Sequence, residues 1–282
     1  MFDHSPLLTR RSFMAASAWT AAAFACGTGG LLAGCSGGGT QQSAAPEEPE
    51  PYVSPYNWDN LVWDGEKLAY YEDNQVRSRW GIDVSEHQGD AIDWVQVAAA
   101  GVQFVFARIG NRGATEGALG ADEFFYQNAV RAHEAGLEVS AYFFSQALTE
   151  DEAREEAAFA IDNLRETEQA GVTFATVAYD HEAVEIEGAR ANNLSAEQFT
   201  ANALAFCEAI KQAGYQPLIY GNQNDLLRLT AEARAAYPLW LAEYGVPSPT
   251  APFDFALWQY TNAGDVAGIE TPVDLNLWLE PK

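Results

Sequence analysis

The chain has 282 residues, enough for one large domain or two small ones. It carries 15 Lys and Arg against 40 Asp and Glu, a formal charge of −25, and so lacks the basic face that counterion release from a nucleic-acid backbone requires. Hydrophobic residues make up 48% and aromatic residues 12%, which excludes disorder over most of the length, and three Cys are too few for a disulfide framework.

The chain opens with an address rather than a fold. Arg10-Arg11-Ser12-Phe13 precedes an Ala-rich apolar run over 13–26, and no charged residue occurs from 12 to 46. This resembles a twin-arginine export signal. The run is too short and too weakly apolar for a spanning helix, which needs about 20 strongly apolar residues. It closes on Leu31-Leu32-Ala33-Gly34-Cys35, which resembles a bacterial lipobox, with Cys35 as the lipid-bearing first residue of the mature protein. An uncleaved anchor with an incidental Cys is the alternative. Both place the rest of the chain outside the cytoplasm, held to a membrane. The expected division is a signal peptide over 1–34, a tether over 35–57, an N-terminal hairpin extension over 58–79 and the main folded domain over 80–282. The tether begins Gly37-Gly38-Gly39 and continues Pro46-Glu47-Glu48-Pro49-Glu50-Pro51, flexible and then stiff chain that reaches several nanometres.

In the extension, the stretch 67–80 reads as a hairpin turning near Asp73-Asn74. Beyond it, apolar runs dominated by Val, Ile, Phe, Tyr and Trp predict strands at 81–85, 104–110, 138–145, 174–182, 217–222, 238–244, 255–260 and 273–278. Helices are predicted over 121–135, 150–165 and 195–213. The second opens with Thr149 and places Glu152 at N3, the third opens with Ser195 and places Gln198 at N3, and Gly136 and Gly214 follow helix ends. Cys207 sits in the third helix as a small buried apolar residue. Connections between the last three strands are too short for full helices. The fold class is therefore α/β, a modified TIM-type barrel with eight strands and fewer helices in the second half.

Chemistry in such barrels gathers at the strand ends. Asp83, Asp180, Glu182 and Asp274 fall there. Asp180 and Glu182 are two apart, so on a strand they share one face and His181 takes the other. Carboxyls held that close do not ionise independently, and one tends to keep its proton, as glycosidic cleavage requires. Two solvated acids in an acidic chain would give the same pattern. Tyr142, Phe144, Tyr220, Tyr244, Trp258 and Tyr260 also fall near strand ends. Their rings suit stacking on sugar faces, although each taken singly suits the core as well.

Five ordered motifs carry a resemblance. They are Gly81-Ile82-Asp83-Val84-Ser85-Glu86-His87-Gln88-Gly89, Ala141-Tyr142-Phe143-Phe144, Tyr179-Asp180-His181-Glu182, Trp240-Leu241-Ala242-Glu243-Tyr244, and Trp258-Gln259-Tyr260 running on to Val273-Asp274-Leu275-Asn276. Together they resemble glycoside hydrolase family 25, the Chalaropsis-type lysozymes or N-acetylmuramidases, over about 80–279. The resemblance implies an eight-stranded modified barrel that hydrolyses the β-1,4 bond between N-acetylmuramic acid and N-acetylglucosamine, with no metal or other cofactor. It implies Glu182 as the general acid. Asp180 would stabilise the cationic sugar, directly or by orienting the substrate's N-acetyl group. Asp83, Asp274, Arg108, Tyr142, Tyr220, Tyr244 and Trp258 would bind the glycan. Two positions depart from the family pattern. Arg108 is followed by no Glu in Ile109-Gly110-Asn111, and Phe143 stands where a His is common.

The expected partners are peptidoglycan strands and, through Cys35, a membrane, with the protein a monomer. A metal-dependent deacetylase would need paired His ligands, and His4, His87, His133 and His181 show no such spacing. A non-catalytic peptidoglycan-binding surface lipoprotein is the main alternative.

Overall fold

The computed structural model describes residues 51–280. The export-signal-like segment 1–34, Cys35 and the tether up to residue 50 lie outside the described residues. The strands are β1 (Leu61–Asp64), β2 (Lys67–Glu72), β3 (Gln75–Val76), β4 (Ser78–Val84), β5 (Phe104–Arg112), β6 (Leu119–Ala121), β7 (Glu138–Phe144), β8 (Phe174–Asp180), β9 (Gln216–Asn222), β10 (Leu239–Ala242), β11 (Leu257–Gly264) and β12 (Val273–Leu279). The helices are α1 (Trp94–Ala99), α2 (Phe125–Glu134), α3 (Glu150–Glu168), α4 (Ala196–Gln212), α5 (Gln223–Arg228) and α6 (Ala231–Ala236).

Eight strands close a barrel in the order β4-β12-β11-β10-β9-β8-β7-β5, with β5 returning to β4. Pairings from β4 through β5 and round to β11 are parallel, whereas β12 runs antiparallel to both β11 and β4. A parallel strand needs a crossover of a dozen or more residues, and the stretch 265–272 between β11 and β12 is too short to make one. Asp274 therefore stands at the start of its strand, not at its C-terminal end. The reversal still brings it to the rim formed by the C-terminal ends of the parallel strands, where its Cα partner is Asp83.

Alternation along the strands separates two cores. Phe104, Phe106, Tyr142, Ala178, Leu218, Tyr220, Trp240 and Leu257 fill the barrel. Val105, Val139, Val177, Ile219, Leu241 and Trp258 face outward with the helix residues. Gly81 lies inward beneath Asp83 because a Cβ there would meet the Phe104 ring at 2.4 Å. Helix α2 starts later than the sequence suggests, because residues 119–121 pair with the extended end of β5 as β6. That pairing needs glycine at 110, where a Cβ would lie 2.2 Å from the Gly120 carbonyl oxygen.

Helix ends follow local chemistry. Thr149 accepts the Glu152 N–H, and Ser195 accepts the Gln198 N–H. The Glu152 carboxylate turns instead to the Leu148 N–H and to Arg190.

No helix covers β11 and β12, and the N-terminal extension takes that place. It is a three-stranded antiparallel sheet, β1-β2-β3, not the lone hairpin expected, and it turns at Asp73 and Asn74 with φ of 50° and 61°. Strand β2 packs on β4 and β12. Leu68 and Tyr70 are fully buried, Trp63 meets Tyr260 edge-on, and the Tyr260 hydroxyl accepts from Trp80 Nε1 and donates to the Glu66 carbonyl. Each large side chain so covered contributes roughly 1.5–3 kcal/mol. The extension thus flanks the barrel and does not plug it.

Cys207 is the free cysteine of the described residues and is fully buried in α4, where burial raises its thiol pKa. Cys207→Ala should cost about 1 kcal/mol, the order of a one-atom core deletion, and leave unchanged the hydrolase activity that the sequence resemblance implies. Urea denaturation and a rate measurement check this. Loss of activity in a folded variant would give the thiol a function.

Candidate active site

The rim formed by the C-terminal ends of the parallel strands and the start of β12 gathers three buried carboxylates. Asp83, Asp180 and Asp274 are 1%, 1% and 8% exposed. Asp83 and Asp274 face each other across the β4–β12 pair, and Asp180 stands inward on β8 in register with Phe144 and Tyr220. Burying carboxylates costs several kcal/mol each unless polar partners compensate. For Asp83 two amides do so: Gln259 Nε2 donates to Asp83 Oδ2 at 2.7 Å and Asn276 Nδ2 donates to the same oxygen at 2.8 Å.

Those amides extend the network under the rim. Gln259 Oε1 accepts from the Tyr220 hydroxyl at 2.9 Å and from the Tyr244 hydroxyl, and Asn276 Oδ1 accepts from Trp240 Nε1 at 2.8 Å. Trp240 in turn packs against Phe106, Tyr142 and Tyr220, with centroids 4.6, 6.3 and 4.9 Å away. Gln259 and Asn276 are the site residues that periodicity alone does not single out; the signal for each is an amide in an otherwise apolar strand, and both bond Asp83.

The strand that carries Asp180 ends there. Glu182 lies two residues beyond it, because the neighbouring β9 gives way to α5 at Gln223 and no ladder continues. The period-two argument therefore does not fix Glu182. Its carbonyl accepts from Gln146 Nε2 at 2.9 Å, and its Oε1 is buried with no hydrogen-bond partner among the described residues. Its charge reaches α5: burial raises the pKa of Asp225, Arg228 opposes that rise, and Glu182 adds to it.

His181 takes the outer side, among residues of the outer core. It is 1% exposed, stacks on Tyr179 and lies against Phe199, with Nδ1 3.2 Å from the Ser145 carbonyl. Burial, aided by the Arg228 charge, lowers its pKa from 6.5 to about 4. Below pH 6.5 the unfolded chain then binds a proton that the folded chain refuses. Stability from this group is complete above pH 6.5 and is lost as pH falls toward 4, by roughly 3 kcal/mol in all. Urea melts from pH 7 to 4 should show a steeper decline for the parent protein than for His181→Gln. Parallel curves would assign the acid sensitivity elsewhere.

The other predicted binding residues divide. Tyr142 and Tyr220 form part of the aromatic floor and are 2% and 4% exposed, whereas Tyr244, at 40%, presents its ring at the rim. Trp258 points outward, is fully buried, and donates its Nε1 to the Glu243 carbonyl at 2.9 Å. It is a core residue, because inward and outward positions alternate and Gln259 takes the inward one. Arg108 is also committed. Its Nε donates to Asp122 at 2.8 Å and its Nη2 lies 2.8 Å from Glu86, so it ties together the loops after β4 and β6.

Residues 82–269 match the sequence profile of glycosyl hydrolases family 25, and this chain belongs to that family. Over 203 residues it is 29% identical to Lysozyme M1 of Streptomyces globisporus, an alignment spanning 70% of this chain and 66% of that protein. Among solved structures, a bacterial lysozyme from Streptomyces coelicolor superposes with a TM-score of 0.57 at 26% identity, over 70% of this chain and 90% of that one. The modular autolysin LytC from Streptococcus pneumoniae, solved in complex with a synthetic peptidoglycan ligand, superposes with a TM-score of 0.64 at 22% identity, over 78% of this chain and 52% of that one. The chain thus spans just under two thirds of Lysozyme M1 and about half of the autolysin.

Proposed function

We propose that this protein is a peptidoglycan hydrolase, a lysozyme that cleaves the β-1,4 bond between N-acetylmuramic acid and N-acetylglucosamine. The observation that carries this reading is the uncommitted, buried Oε1 of Glu182 two residues from the buried Asp180, in a chain of family 25. A carboxyl oxygen that no protein group engages is placed to serve a glycosidic oxygen as general acid. Asp180 then supplies negative charge where the sugar becomes cationic, directly or by orienting the substrate's N-acetyl group. Asp83, oriented by its two amides, and Asp274 opposite it hold sugar hydroxyls, and the Tyr244 ring offers a stacking face.

The export-signal-like segment and the lipobox-like Cys35 support a location outside the cytoplasm, with the domain tethered to a membrane by lipid on Cys35. Digesting purified peptidoglycan with the protein and analysing the fragments by mass spectrometry tests the reaction. Reducing N-acetylmuramic acid ends are expected. Retention of the protein on the wall with no new reducing ends would replace the enzyme by a binding lipoprotein. Fatty-acid labelling should disappear in Cys35→Ala, and persistent label would remove the anchor.

A further inference from the structure

Glu182 stands outside the sheet, so something other than the strand ladder must hold a proposed acid in place. The segment after β7 does so. Ser145 N–H donates to the Asp180 carbonyl at 2.7 Å, the last bond of the β7–β8 ladder. One residue on, Gln146 Nε2 donates to the Glu182 carbonyl at 2.9 Å. That contact fixes the amide orientation, because a carbonyl demands a donor. Gln146 is fully buried, and its Oε1 has no hydrogen-bond partner among the described residues.

The bracket is itself anchored from behind. Glu156 of α3, fully buried, accepts from Ser145 Oγ at 2.6 Å, from the Gln146 N–H at 3.2 Å and from Arg112 Nε at 2.8 Å. Asn202 of α4 holds the Ala147 carbonyl at 2.8 Å. Two helices and a strand thus converge on residues 145–147, of which Ser145 and Gln146 bond the carbonyls on either side of His181. Buried polar bonds of this kind rigidify what they touch, and a side chain misplaced by about 1 Å can cost 10²-fold in rate.

We propose that Gln146 is a positioning residue that sets the reach of the Glu182 carboxyl by gripping its main-chain carbonyl. The inference rests on the hydrolase reading above. Its test uses Gln146→Met, which keeps length and loses the donor, with Gln146→Glu as the second variant should the first not fold. The substrate is a soluble peptidoglycan tetrasaccharide, and the readouts are kcat, KM and melting temperature. The expected result is kcat lower by at least about 10-fold with KM within about twofold and melting little changed. In a Glu182→Gln background the same substitution should cost less than about twofold, because a residue that acts only through Glu182 has nothing left to position. Full kcat in a folded variant, or a penalty that multiplies in the Glu182→Gln background, overturns the inference and leaves the hydrolase reading intact. A parent protein that cleaves nothing overturns both.

Discussion

Glu182→Gln should fold normally and cleave peptidoglycan at least about 100-fold more slowly than the parent protein. Glutamine has nearly the same shape, and the contact that fixes this residue, Gln146 Nε2 to the Glu182 carbonyl, is made by the main chain and survives the change. What is lost is the proton. A sugar alkoxide is a poor leaving group, and general acid help is typically worth 10²–10⁴-fold. The lower bound corresponds to about 2.7 kcal/mol of barrier. No neighbouring side chain takes over. Asp225 is the carboxyl whose titration senses Glu182, and it is engaged with Asn222 and Arg228 on α5. Turbidity clearance of purified cell walls gives the rate, and circular dichroism confirms the fold. A folded variant with near-parental activity would remove Glu182 from the chemistry and with it the proposed mechanism.

Much of this arrangement is legible in the sequence, for a reason visible in the barrel. Strands buried on both faces read as dense apolar runs, and all eight barrel strands announce themselves in that way. Asp83, Asp180 and Asp274 interrupt such runs, and an acid in a strand otherwise built of Val, Ile and Phe has few structural uses. Direction is less legible than position. Strand β12 reads alike forward and backward, and only the short stretch 265–272 before it signals the reversal. Facing is legible only when register is known. Trp258 and Gln259 occupy adjacent places in one motif, yet one packs outside the barrel and the other bonds Asp83 within it. The grip of Gln146 on Glu182 is a tertiary contact between loops 36 residues apart, and no periodicity encodes it.

The same frame governs Asp180, whose expected effect is equally large. Asp180→Asn should lower kcat by about 10²–10³-fold, the range found on deleting one preorganised electrostatic partner of a transition state. The carboxylate is 1% exposed and sits inward on β8, level with Tyr220 and above the buried Ala178. In such a site water screens little, so a full charge lost there matters more than at a surface. The loss should fall on kcat and spare KM, because the sugar is neutral in the ground state and acquires positive charge only as the bond breaks. Combined with Glu182→Gln the two losses should fall well short of multiplying, since both residues serve one bond cleavage. The decisive measurement is kcat and KM on a soluble glycan beside a thermal melt. A variant that raises KM while keeping kcat would make Asp180 a binding contact for the ground-state sugar and take it out of the bond-breaking step.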